Sequence, residues 1–96
     1  MADQVDNTTN WVGPVLRVGM VADAVIAAIK QRHTAVVVLD RQIYCRVLVP
    51  GRCVVTRAGI EAHLGRAVSL PDDLAKVLLA FQGQFAVSEE CATWTS

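Results

Sequence analysis

Residues 40–66 read DRQIYCRVLVPGRCVVTRAGIEAHLGR, and this stretch decides how the chain is expected to fold. Ile43, Cys45, Val47 and Val49 alternate with Tyr44, Arg46 and Leu48. A strand with that period sends the two sets to opposite faces, so Arg46 shares a face with Tyr44 and Leu48. Residues 52–56 are rich in β-branched, apolar side chains, and Pro50-Gly51 stands between the two runs. Two strand-like runs joined by turn residues predict a β-hairpin. With Pro50-Gly51 at its centre, Cys53 falls opposite Leu48 and Cys45 opposite Thr56, on different faces where they cannot bridge. A short helix over residues 60–64 follows. Thr56 is a good N-cap for it, Gly59 only an acceptable one, and Gly65 is placed as a left-handed stop. Val47, Val54, Ile60 and Leu64 are the expected core.

Toward the N-terminus, residues 1–10 are polar and aperiodic, which predicts a flexible tail before one domain over residues 11–96. Residues 15–18 read as a strand, with Pro14 suited to a strand's start. Residues 20–32 are the clearest helix. Val21, Ala22, Val25, Ile26 and Ile29 make one apolar stripe, Asp23 lies in the first turn, and Lys30 and Arg32 lie in the last. Residues 35–39 carry three consecutive valines and read as a strand, and residues 40–42 as a polar turn. Toward the C-terminus, Ser69 with Asp72 three positions on resembles a capped start for a helix over residues 71–76. Residues 77–81, 84–88 and 91–95 read as three short strands. The resulting order, β-α-β-β-β, two short helices, then β-β-β, predicts an α+β fold with antiparallel sheets covered by helices.

Bulk properties narrow the function. Ninety-six residues, 53% of them hydrophobic, suffice for one core. Nine basic residues balance nine acidic ones without a basic cluster, which argues against nucleic acid as a partner. Neither a membrane span nor an export signal is visible, so the cytoplasm is the expected location. Cys45, Cys53 and Cys91 show no C-x-x-C or His-linked spacing and read as reduced, buried or half-buried apolar residues. The sequential pairs Asp72-Asp73 and Glu89-Glu90 point apart on any regular element and read as solvated. His33 and His63 lack a partner at readable spacing, and the glycines form neither a dinucleotide fingerprint nor a P-loop. A domain without a cofactor, a metal or a catalytic constellation favours a binding or regulatory module over an enzyme.

Several side chains admit two readings. Phe81 and Phe85 flank a tight turn either as core anchors or as a presented contact surface. Trp11 and Trp94 are either plugs at the ends of the fold or interface anchors. The face carrying Arg46 is either solvated or meets a partner.

Four segments occur in a telling order: VGPVLRVG at residues 12–19, Asp40-Arg41 with Tyr44 and Arg46, TRAGIEAHLGR at residues 56–66, and FQGQF at residues 81–85. Together they resemble the small coupling or effector proteins of soluble diiron multicomponent monooxygenases. That family includes the methane monooxygenase regulatory protein and the phenol hydroxylase effectors. The nearest likeness is to effectors of toluene, alkene or isoprene monooxygenases. The resemblance implies a non-catalytic, cofactor-free protein, monomeric when free. Such a protein binds the diiron hydroxylase component and tunes its oxygen activation, coupling and product selectivity. Arg41, Arg46, Glu61, Arg66, Phe81 and Gly83 are the interface candidates. The chain departs from the family pattern in a short connection after the first helix, in Gly59, and in Gln82, where a small residue is usual. Two other classes compete: a small-ligand sensor domain, and a hydrolase or isomerase using His63 with Asp72 or Glu61.

Overall fold

The computed structural model describes residues 10–96. The expected tail, residues 1–10, lies outside the described residues except for Asn10. The element order is β1 (Trp11–Arg17), α1 (Met20–Arg32), β2 (Val37–Asp40), β3 (Tyr44–Pro50), β4 (Arg52–Thr56), α2 (Arg57–Leu64), α3 (Asp72–Ala75), β5 (Leu78–Gln82), β6 (Gln84–Val87) and β7 (Cys91–Thr95). The α+β reading and the order of elements stand.

The strands form a four-stranded sheet in the order β2-β3-β1-β5 and a three-stranded sheet in the order β4-β7-β6. Every pairing is antiparallel. The expected β3–β4 hairpin is absent. At Pro50-Gly51 the chain leaves the first sheet and enters the second, with Gly51 at φ 74. Strand β3 pairs instead with β1 and β2, and β4 pairs with β7. Cys53 therefore sits opposite Trp94, not Leu48, and Cys45 opposite Leu16 and Asp40, not Thr56. All three cysteines are free thiols. The true hairpin lies one turn earlier, between β2 and β3. There Asp40 Oδ1 accepts from the Gln42 N–H at 2.9 Å, and Gln42 takes a left-handed φ of 75.

The second crossing, from β5 to β6, is at Gly83. Its φ is 101, and a Cβ there would lie 2.6 Å from both the Thr95 carbonyl oxygen and Val12 Cγ1. Only glycine fits both the backbone angle and the close approach. Around this point Phe81, Phe85 and Trp94 pack in sequence, Phe81 tilted on Phe85 and Phe85 stacked on Trp94, with ring centroids 5.2 and 5.1 Å apart. The ladder joins the edge of one sheet to the middle of the other.

The core lies between the sheets and under α1, which packs on β4 and α2. It contains Val12, Leu16, Val25, Ile29, Val47, Val55, Ile60, Leu74 and Trp94, all nearly or fully buried. Val47, Val54 and Ile60 are buried as expected, and Leu64 packs on the core while half-buried. In α1 the buried stripe is Ala22, Ala24, Val25, Ala28 and Ile29, with Val21 and Ile26 at its margin. The alanines let α2 approach closely.

Helix α2 starts where Thr56 Oγ1 accepts from the Gly59 N–H at 3.0 Å and ends at left-handed Gly65. Thr56, not Gly59, is thus the N-cap. At α3 the reciprocal pair forms with Asp73 rather than Asp72. The Ser69 N–H donates to Asp73 Oδ2 at 2.9 Å, and the Asp73 N–H donates to the Ser69 carbonyl at 2.8 Å. This arrangement lowers the Asp73 pKa, first through the Ser69 hydrogen bond and then through Lys76 and Arg66 nearby.

Candidate interaction face

The outer face of the four-stranded sheet is built by alternation. Register pairs Leu39 with Arg46 and Val37 with Leu48 across β2 and β3, then Arg46 with Val15 across β3 and β1. Tyr44, Arg46 and Leu48 thus point away from the core while Val47 and Val49 point into it, as the period of residues 43–49 requires. Trp11, Val37, Leu39, Arg41, Tyr44, Arg46, Leu48 and Gln82 enclose a shallow concavity of about 450 Å³ on this face.

Its polar groups are arranged by the sheet. Gln82 Nε2 donates to the Trp11 carbonyl at 2.6 Å, and its Oε1 accepts from Arg46 Nη2. The Gln82 amide orients the guanidinium without neutralising it. Arg41 stands at the β2–β3 turn, where its N–H donates to the Tyr44 carbonyl at 2.9 Å and its carbonyl accepts from the Ile43 N–H at 2.9 Å. No Asp or Glu is among the residues lining the concavity. Asp40 pairs with Cys45 in register and belongs to the other face of the sheet.

The six sequence candidates separate into three places. Arg41 and Arg46 meet at the concavity. Phe81 is 45% exposed at the edge of the same sheet, packed with a tilt against Phe85, and Gly83 is the crossing point beside it. Glu61 and Arg66 lie at the end of α2. There Glu61 Oε2 accepts from the Val68 N–H at 2.8 Å and ties down the loop after the helix, while Arg66 is exposed. Gln82 was missed as a site residue. Its signal was a polar side chain where the resemblance calls for a small one. Trp94 is fully buried and so plays the plug, whereas Trp11 is half-buried at the rim of the concavity.

The groups considered for acid–base chemistry are not brought together. His63 Nε2 lies 2.9 Å from Gln31 Oε1, Glu61 is engaged at Val68, and Asp72 is at the start of α3. His33 Nε2 accepts from the Val54 N–H at 3.0 Å, capping an edge-strand donor of β4. Burial alone pushes the Cys53 thiol up to about 12, which leaves it unreactive. Among the described residues no group of three His, Cys, Asp or Glu side chains is placed to hold a metal ion. No helix among them is long and apolar enough to cross a membrane.

Residues 10–95 match the model of the MmoB/DmpM family. The chain belongs to the MmoB/DmpM family. The resemblance read from the four segments is thereby borne out. Within the known members, the chain is 37% identical over 95 residues to the effector subunit of the alkene monooxygenase system of Xanthobacter autotrophicus, covering 93% of this chain and 89% of that one. In three dimensions it matches a chain of the phenol hydroxylase–regulatory protein complex with a TM-score of 0.79 at 14% identity, over 90% of this chain and 98% of that chain. At that identity the second likeness establishes the shared fold.

Proposed function

We propose that this chain is the coupling, or effector, component of a multicomponent monooxygenase. It binds the diiron hydroxylase component and tunes oxygen activation, coupling and product selectivity there, without catalysing a step itself. The observation that carries this reading is the end-to-end similarity, at 37% identity, to an alkene monooxygenase effector subunit. The separate engagement of His63 and Glu61 supports a non-catalytic role. Three free thiols suit a reducing compartment, so the proposed place of action is the cytoplasm, with the free protein monomeric.

The physical mode of action is differential binding. An effector shifts its hydroxylase only by the difference between its affinities for the hydroxylase's states. A coupling free energy of about 1–3 kcal/mol corresponds to a 5- to 150-fold shift in that equilibrium. A rigid, preformed docking surface suits the task, because little binding energy is then lost to ordering side chains. Titrating the chain into its cognate hydroxylase, followed by fluorescence or calorimetry, tests the reading. Saturable binding is expected, and no binding at protein concentrations of tens of micromolar contradicts it.

A further inference from the structure

We propose that the concavity on the outer face of the four-stranded sheet is where an acidic side chain of the hydroxylase docks, received between Arg41 and Arg46. The inference rests on the effector reading and adds to it the face used and the chemistry recognised there. Three observations point to a carboxylate on a protein segment. Two arginines, Arg41 and Arg46, line one depression, and no Asp or Glu does. In a chain with nine acidic and nine basic residues, that local imbalance is a matter of placement rather than of overall charge. Arg46 is already oriented, because Gln82 holds one of its Nη atoms and is itself fixed on the Trp11 carbonyl. A pre-oriented guanidinium has less freedom left to lose when it takes a carboxylate in a two-pronged bond.

The rest of the lining says what surrounds the acid. Val37, Leu39 and Leu48 form an apolar strip beside the arginines, and Trp11 and Tyr44 offer aromatic surface. This combination of Arg, Trp and Tyr with aliphatic neighbours matches the composition of energetically dominant protein–protein contacts. Nucleic acid would need a broader basic surface than two arginines supply. The face also belongs to a sheet with β1 and β3 at its centre, so the groups are presented on rigid backbone.

The test uses the full chain and its cognate hydroxylase. Binding is measured for the wild type and for Arg41→Glu, Arg46→Glu and Arg32→Glu, the last on the exposed end of α1 away from the concavity. Circular dichroism and thermal melting confirm that each variant is folded. The expected result is at least about tenfold weaker binding for the Arg41 and Arg46 variants, a flatter salt dependence than wild type, and no change for Arg32→Glu. If the wild type binds and stimulates the hydroxylase while both concavity variants bind equally well, the docking proposal is overturned and the effector reading stands. If the wild type neither binds nor stimulates, the effector reading itself falls. If benzoate shifts the NMR signals of Trp11, Arg41 and Arg46 while the variants keep wild-type hydroxylase affinity, the concavity takes a free carboxylate and the proposal is overturned.

Discussion

Gly83 shows how much one residue decides. Its left-handed backbone and its contact distance to Thr95 and Val12 leave no room for a methyl group. Gly83→Ala is expected to cost about 2–4 kcal/mol, from backbone strain together with overpacking. Urea denaturation monitored by tryptophan fluorescence checks this, and an unchanged midpoint would contradict the expectation. The glycine of the F-x-G-x-F segment is thereby explained by the fold, and its neighbour Gln82 carries the link to the candidate face. Cys53 makes a second test at this scale. It is fully buried with a thiol pushed up to about 12, so at pH 8 a thiol reagent is expected to label the half-buried Cys45 and Cys91 first. Cys53 should react only on the timescale of unfolding, as peptide mapping of the labelled protein would show.

Among the elements, α3 is the least self-sufficient, a single turn over Asp72–Ala75. Its start depends on the reciprocal bonds between Ser69 and Asp73. Because the folded-state pKa of Asp73 is lowered, the ionised carboxylate's stabilising effect is complete above the ordinary aspartate value of 3.8 and is lost as pH falls through the lowered folded value. Asp73→Ala is therefore expected to melt at a lower temperature than wild type at pH 7. The gap should close in strongly acidic solution, and a gap independent of pH would contradict the assignment. Elements were the most legible level of the sequence. The alternation in β3 and the Gly65 stop are local signals that appear where local chemistry predicts them. Thr56 rather than Gly59 takes the cap, and the α1 stripe keeps Ala22, Val25 and Ile29 but turns toward Ala24 and Ala28 instead of Val21 and Ile26. Strand pairing was not legible in the same way. Pro50-Gly51 marks a turn whether the following strand folds back on β3 or crosses to another sheet. What settles the matter is remote: β1 offers β3 a matching partner from Trp11 to Arg17, and Trp94 on β7 covers Cys53. The same local ambiguity hid the crossing at Gly83.

For the whole molecule, the two sheets joined at Gly51 and Gly83 give a core on one side of the four-stranded sheet and an open face on the other. The sequence showed that Tyr44, Arg46 and Leu48 share that face, but it left open whether the face is solvated or contacts a partner. Assembly of the concavity needs β2 and β1 on either side of β3, with β5 beyond β1, and so needs the topology that the hairpin reading had wrong. Arg41 and Arg46 were legible as candidates, whereas their convergence with Gln82 and Trp11 was not. Glu61 was legible as a surface carboxylate, and only the fold shows it tied to Val68.

The central claim is that this chain governs a hydroxylase it does not resemble in chemistry, and the most direct measurement is product formed per reductant consumed. The reconstituted hydroxylase and reductase are assayed with increasing amounts of the chain. The ratio is expected to rise toward one and the turnover rate to change saturably, reaching its plateau near equimolar chain and hydroxylase sites. A ratio and a rate that stay flat across the titration, with all components shown to be active, would contradict it.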